Sequence, residues 1–173
     1  MSAATYARFT SLLALMALAG AVIIFVFRRR LAPSFTLRMA LSGGLAIALA
    51  STLGSLGYSD IYNMEPCTLC WYQRIAMYPL VVVFGLAIVF GDRAIWRYTM
   101  PLAGAGATIS IIHLIEQWTP ADIGACGLGV PCSVRYVEEF GFVTIPFMAL
   151  SGFLAILAFS WLAATVETGD VES

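Results

Sequence analysis

Long uninterrupted apolar stretches dominate the pattern of hydrophobic and polar residues along this chain. A bilayer core of about 30 Å requires about 20 mostly apolar residues in a helix. Five stretches meet this requirement, and they are Phe9 to Phe27, Met39 to Gly57, Trp71 to Phe90, Thr99 to Ile115 and Phe140 to Val166. Because these runs are continuous and do not alternate with a period of two, they predict membrane-spanning helices and not the strands of a barrel.

The composition agrees with lipid as the solvent around these helices. Of the 173 residues, 61% are hydrophobic and 11% are charged, whereas a soluble domain is roughly half apolar and roughly a quarter charged. The net charge of −1 gives no reason to expect a nucleic-acid partner. The sequence therefore predicts an all-α polytopic membrane protein surrounded by membrane lipid.

Arginines near the ends of the apolar stretches predict how the chain is oriented in the cell membrane. Six of the nine arginines lie between the first and second stretches or between the third and fourth, and these are Arg28, Arg29, Arg30, Arg38, Arg93 and Arg97. Since positively charged connections stay in the cytoplasm, both connections and the C-terminal tail are expected inside the cell. The N-terminus and the segments Tyr58 to Cys70 and Glu116 to Glu139 are then expected on the exoplasmic side.

The first apolar stretch has an alternative interpretation as a secretory signal peptide. The small residues of "ALAGA" favour cleavage, but the "RRR" that follows the apolar run opposes it, because positive charge there resists export. We therefore expect a retained transmembrane helix.

All four cysteines lie in the two segments that are expected outside the cell. They form a C-x2-C pair, Cys67 and Cys70, and a C-x5-C pair, Cys126 and Cys132. The pairs have three interpretations: structural disulfides, a zinc site of four thiolates, or a redox relay. Disulfides persist on the oxidising side of the membrane, which together with the unequal spacing argues against zinc. The small ring between Cys126 and Cys132 gains little stability from loop closure, which weakens the structural interpretation.

The stretch "EPCTLCWYQR" favours the redox interpretation. Pro66 suits the first turn of a helix, so Cys67 and Cys70 are expected at a helix start. The free N–H groups and the helix dipole favour a thiolate there, and a thiolate is both the nucleophile and the better leaving group in disulfide exchange. Cys67, Cys70 and Arg74 have the spacing i, i+3, i+7, which places them on one face of the helix.

Arg74 and His113 are the other candidate site residues. A charge at the membrane edge is costly and indicates function, although an arginine can also extend to the lipid headgroups. As a fixed cation one turn below Cys70, Arg74 would stabilise a thiolate and the anion that forms when a membrane-soluble acceptor such as a quinone is reduced. His113, the single histidine, is either a packed side chain or a group that hydrogen-bonds a quinone oxygen or transfers a proton.

The words "PCTLCWYQR", "CGLGVPC" and "FGFVTIPF", taken in this order, resemble the DsbB/BdbC family of quinone-linked, disulfide-generating membrane proteins. The resemblance extends from about Gly57 to Leu157, and the short second loop is similar to the BdbC-like branch. It implies a four-helix bundle that holds a quinone, either ubiquinone or menaquinone, at its exoplasmic end. It also implies an exoplasmic thioredoxin-fold dithiol partner of the DsbA or BdbD type.

The resemblance implies a role for each cysteine. Cys70 matches the cysteine next to the quinone, and Cys67 matches its disulfide partner, which passes oxidation to the loop. Cys126 matches the cysteine that forms a mixed disulfide with the partner protein, and Cys132 matches the one that resolves it. Arg74 matches the quinone-contacting arginine. A histidine near the quinone in some members corresponds to His113.

The family pattern has four transmembrane helices, whereas this chain has five apolar stretches. We therefore expect an extra N-terminal transmembrane helix with a cytoplasmic turn in residues 1–36, a DsbB-like bundle in residues 37–166, and a cytoplasmic tail in residues 167–173. One alternative is a non-catalytic membrane scaffold or assembly protein with structural loop disulfides. Another is a quinone reductase related to vitamin K epoxide reductase, but such proteins carry their loop cysteines before the C-x2-C pair.

Overall fold

The computed structural model describes residues 2–119, 126 and 130–169. Within these residues, five helices are long and apolar enough to cross a membrane. They are α1 (Ala3–Leu31), α2 (Leu37–Leu56), α3 (Thr68–Phe90), α4 (Trp96–Trp118) and α5 (Ile145–Gly169). The prediction of an all-α polytopic membrane protein is thus confirmed. Residues 170–173 of the predicted tail, and residues 120–125 and 127–129 of the second cysteine segment, lie outside the described residues.

Helix α3 begins at Thr68, slightly later than the position of Pro66 suggests, and the residue that caps it is a cysteine. Cys67 is the N-cap residue, and its sulfur accepts a hydrogen bond from the Cys70 backbone N–H at 3.4 Å. The expectation that Pro66 lies in the first helical turn is therefore wrong, because Pro66 precedes the capping residue. At its other end, α3 stops at Gly91, whose φ of 66° is in the left-handed region that favours glycine.

The fifth helix also begins later than predicted, at Ile145 and not at Phe140. The five residues before it form a turn that is closed by a bridge between Glu139 and Val143. Phe140 and Gly141 both have positive φ, 56° and 78°, which a right-handed helix cannot contain. The apolar side chains of this turn extend the hydrophobic run, so hydropathy alone places the start of the helix too early.

Close packing between aromatic rings and glycines fixes the helices against each other. The fully buried ring of Phe84 lies against Gly44 of α2, and that of Phe153 lies against Gly106 of α4. A Cβ atom at either glycine would collide with the facing ring. Small residues allow this approach in lipid, where packing rather than water exclusion holds helices together. Helix α5 packs against α1, α2 and α4 and is the central helix of the bundle.

Candidate functional site

The two cysteine pairs meet at one end of the bundle. Cys67 and Cys70 are free thiols with their sulfur atoms 2.9 Å apart, and Cys126 and Cys132 form a disulfide. The sulfur of Cys67, a ring nitrogen of His113 and the sulfur of Cys132 all lie within 4.8 Å of one another. A buried free thiol thus stands next to a disulfide, which is the arrangement that thiol–disulfide exchange requires.

Residues 134 and 135, in the described part of the second cysteine segment, are held against the end of α4 by polar contacts. Gln117 donates a hydrogen bond to the Val134 carbonyl at 3.3 Å, and Arg135 donates one to the Gln117 carbonyl at 2.6 Å. The Arg135 guanidinium also lies 4.3 Å from the centre of the Trp118 ring. Neither Gln117 nor Arg135 was predicted to belong to the site. Gln117 lies four residues after His113, on the same face of α4, and this spacing is the signal that identifies it.

His113 connects the two cysteine pairs. It is 2% exposed, and its Nε2 lies 3.6 Å from the Cys67 sulfur and 3.2 Å from the Cys132 carbonyl oxygen. Its Nδ1 has no hydrogen-bond partner within the part of the chain that the structure describes. The ring therefore stands where it can exchange a proton or a hydrogen bond with the Cys67 sulfur.

Cys67 is the more acidic thiol of the free pair. The hydrogen bond from the Cys70 thiol lowers the pKa of Cys67 well below its ordinary value, and this effect outweighs burial, which raises the pKa. The hydrogen bond and the electrostatic effect of His113 lower the pKa further. Cys67 is therefore the sulfur that carries the negative charge when the pair is reduced.

Arg74 lies one turn further into α3 and bridges this helix to α2. Its Nε donates to the Ser55 hydroxyl at 2.9 Å, and one terminal nitrogen donates to the Ser55 carbonyl at 3.0 Å. Its guanidinium lies 5.3 Å from the centre of the Trp71 ring. Among the described residues, no carboxylate forms an ion pair with Arg74, so its positive charge is available to a ligand.

A cavity of about 430 Å³ lies between α1, α2, α3 and α5, with Cys70 and Arg74 in its wall. Its size is typical of sites that hold a small organic molecule. Apolar side chains make up most of the lining, and the polar members are Thr10, Ser51, Ser55, Tyr58, Glu65, Gln73, Arg74, Tyr78 and Tyr136. Gly20 and Gly54 border the space, and a Cβ atom at either would meet nothing within 4 Å. We call this cavity the chamber. It is suited to an apolar molecule with hydrogen-bond acceptors at one end.

Cys70 borders both the large cavity and a smaller one of about 20 Å³ that Cys67 and His113 also line. The structure therefore brings the four cysteines and His113 into one cluster, and it brings Cys70 and Arg74 into the wall of the chamber. His113 is not among the residues that line the large cavity. Its predicted contact with a quinone stays a prediction, while its observed contacts are with the cysteines.

The group formed by Cys67, His113 and Cys132 has the spacing of a metal site. The sulfur of Cys132 is bonded to Cys126 in this structure, and a thiolate rather than a disulfide sulfur is the metal ligand. The cluster thus offers two free ligands, whereas structural zinc takes four. Because Cys132 is in a disulfide, the cluster favours thiol–disulfide exchange over metal binding.

A helical membrane protein with a free dithiol against a disulfide belongs to the class of membrane thiol–disulfide oxidoreductases. The family described as "Disulfide bond formation protein DsbB" matches residues 37–163, and the chain belongs to this family. The resemblance of the cysteine motifs is thereby confirmed, and the function is the generation of disulfide bonds at a membrane. The matched segment does not include α1.

Curated relatives agree with this assignment. The chain is 50% identical over 118 residues to "Disulfide bond formation protein C" of Bacillus subtilis, covering 67% of this chain and 86% of that protein. It is 50% identical over 115 residues to "Probable disulfide formation protein C 1" of Bacillus anthracis, covering 65% and 82%. It is 43% identical over 123 residues to "Probable disulfide formation protein C" of Halalkalibacterium halodurans, covering 69% and 89%. No solved structure matches the chain significantly.

Proposed function

We propose that this protein oxidises a thioredoxin-fold dithiol protein of the DsbA or BdbD type and passes the electrons to a membrane quinone. One observation carries the proposal. Cys70 borders the chamber on one side and the cysteine cluster on the other, so the path from disulfide to chamber is continuous. The arginine distribution supports an orientation in which the cysteine end of the bundle faces the exoplasm.

The first exchange takes place at the loop disulfide. Cys126 is partly exposed, whereas Cys132 is 2% exposed, which makes Cys126 the sulfur that an incoming thiolate reaches. Attack there forms a bond between the partner and Cys126, and Cys132 leaves as a thiolate. The second thiol of the partner then displaces Cys126. The partner leaves with a disulfide, and the loop keeps two electrons and two protons as a dithiol.

The second exchange moves these electrons to the inner pair. The Cys132 sulfur lies within 4.8 Å of Cys67, so its thiolate attacks Cys67 when Cys67 and Cys70 are joined. The bond between Cys67 and Cys70 breaks, and Cys70 leaves as a thiolate beside the chamber. Cys126 then attacks Cys132 and releases Cys67. The result is a closed loop disulfide and a free inner dithiol, which is the arrangement in the structure.

The chamber fits a quinone by the chemistry of its lining. Arg74 would donate to a ring oxygen, Thr10 and Tyr58 add hydroxyl groups to the same lining, and the open space beside Gly20 and Gly54 accepts apolar atoms. When bound, a quinone would supply an acceptor for two electrons and two protons. Cys67 and Cys70 give up two electrons as their disulfide forms again, and the two thiol protons of the pair are released in the same conversion. The lowered pKa of Cys67 makes its thiol the first of the two to release a proton.

The proposal is tested by trapping the cysteines of the protein in membranes with a thiol-reactive mass tag. A reduced thioredoxin-fold protein added without quinone should convert the cysteines of the wild type to thiols. Subsequent addition of quinone should return them to disulfides. Cysteines that stay oxidised in the presence of excess reduced partner would instead indicate structural disulfides and contradict the proposal.

A further inference from the structure

Helix α1 lies outside the segment that matches the family, yet it forms a wall of the large cavity. Its lining residues are Thr10, Leu13, Ala14, Met16, Ala17 and Gly20. We infer that α1 is part of the acceptor site: it forms one wall of the chamber, and its small side chains leave the room that the apolar tail of a quinone occupies. This inference rests on the proposed function and assigns a role to the additional helix.

The residues of α1 divide into two neighbouring stripes with helical spacing. One stripe is buried against the rest of the bundle and includes Ala7, Ala21 and Ile24. The second stripe, which includes Thr10, Ala17 and Gly20, faces the cavity. These members lie three, seven or fourteen residues apart, all close to whole numbers of helical turns, so each stripe follows one side of the helix. One side of α1 therefore holds the helix in place while the other shapes the chamber.

The outer end of α1 is fastened to α2 and to the residues that directly follow α2. The Tyr6 hydroxyl donates to the Gly54 carbonyl at 3.1 Å, and the hydroxyl oxygens of Thr10 and Tyr58 lie 2.5 Å apart. Gly54 and Tyr58 are themselves cavity residues. The polar end of the chamber is thus built jointly by α1 and α2.

The inner end of α1 is fastened to α5. The Arg28 guanidinium lies 3.9 Å from the centre of the Trp161 ring, and the Phe25 ring packs edge-on against the same ring at 5.4 Å. Contacts at both ends hold α1 beside the bundle while its middle part remains apart from α2. The chamber occupies this gap, which a four-helix bundle without α1 would leave open to lipid.

The two ends of the chamber have different surroundings, which match different parts of one ligand. Ten residues separate Thr10 from Gly20, which corresponds to about 15 Å along a helix. Thr10 lies at the level of Tyr58, where the polar side chains can hold a ring. Gly20 is half-buried in the middle of α1, next to open space. A ring with an attached apolar tail matches this sequence of polar and apolar surroundings.

Two substitutions that fill the chamber, Gly20→Leu and Ala17→Phe, test the inference. Ala19→Phe is the control. Ala19 is exposed on the same helix and is not a cavity residue. We expect Gly20→Leu to raise the KM for a long-tailed quinone about tenfold and to leave the KM for a tail-less benzoquinone within about twofold. Ala17→Phe should raise the KM for the long-tailed quinone, and Ala19→Phe should match the wild type. Because replacing glycine within a helix favours helix formation, we expect Gly20→Leu to fold. Thermal unfolding in detergent checks this.

A binding measurement that does not depend on turnover accompanies the kinetics. A long-tailed quinone with a photoreactive azide should label α1 peptides of the wild type, and Gly20→Leu should reduce this labelling about tenfold, in parallel with its effect on KM. Equal binding and equal KM in all variants would overturn the inference and leave the proposed function intact. Finding phospholipid instead of quinone in the chamber would also overturn the inference. An intact mass showing that α1 has been removed from the protein would have the same consequence. Labelled α1 without any quinone reduction would instead contradict only the proposed function.

Discussion

Replacing His113 with phenylalanine tests the electrostatic arrangement of the cysteine cluster. The substitution removes the contact between His113 Nε2 and the Cys67 sulfur at 3.6 Å. A hydrogen bond to a charged group contributes about 1.5–3 kcal/mol, and a pKa difference of 1 corresponds to about 1.4 kcal/mol. Because 3.6 Å is long, we use the lower end of this range and expect the pKa of Cys67 to rise by about 1. The hydrogen bond from Cys70 remains and keeps the pKa below its ordinary value.

The protonation of Cys67 determines how the variant depends on pH. A raised pKa means that Cys67 is protonated at a higher pH, so the variant should lose thiolate earlier than the wild type as the pH falls. The ultraviolet absorbance of the thiolate, measured against Cys67→Ser during a pH titration of the reduced protein, reports this change. Closure of the Cys67–Cys70 disulfide, which consumes this thiolate, should slow in the same acidic range.

The control substitution is Ser110→Ala. Ser110 is buried in the same helix and accepts a hydrogen bond from Gln73 at 3.1 Å, and neither residue contributes to the lowered pKa of Cys67. This variant should leave the pKa of Cys67 unchanged. If His113→Phe and Ser110→Ala gave the same titration curve as the wild type, the assigned role of His113 at the thiolate would be refuted.

Three further outcomes are expected. Cys132→Ser should accumulate a mixed disulfide between the partner and Cys126, because the resolving thiol is absent; peptide mapping that places the partner on the inner pair would reverse the assigned order. Arg74→Ala should raise the KM for quinone about tenfold or more, since a charged hydrogen bond is worth about 1.5–3 kcal/mol, and an unchanged KM would exclude direct contact. Gly106→Ala should lower the stability by about 1–3 kcal/mol, because its Cβ would collide with a buried ring of α5. Gly104→Ala, with open space at its Cβ, is the control in thermal unfolding.

The sequence predicts the helices well because lipid requires long apolar runs with internally satisfied backbones. It predicts their ends less well, since apolar side chains also occur in the turns next to the helices. The segment from Phe140 to Thr144 is an example: its hydropathy matches the helix that follows, but the positive φ of Phe140 and Gly141 makes it a turn. Likewise, the sulfur of Cys67 caps α3, a contact that the motif does not reveal.

The cysteine motif places Cys70 and Arg74 on one face of a helix, and both do line the same chamber. The side of the cysteine pair on which His113 lies depends on how α4 packs, and periodicity within one helix does not determine it. The role of α1 was beyond prediction for a different reason. Lipid-facing and cavity-facing residues are both apolar, so this helix is hydrophobic all round and its pattern does not distinguish its faces.

The central claim is that electrons pass from an external dithiol through Cys70 to a quinone. The most direct measurement is anaerobic quinone reduction by the purified protein with a reduced thioredoxin-fold substrate, comparing the wild type with Cys70→Ser. The wild type should form quinol and partner disulfide in equal amounts, and Cys70→Ser should form neither in repeated turnover. Quinol formation by Cys70→Ser at the wild-type rate, or partner oxidation without matching quinol, would contradict it.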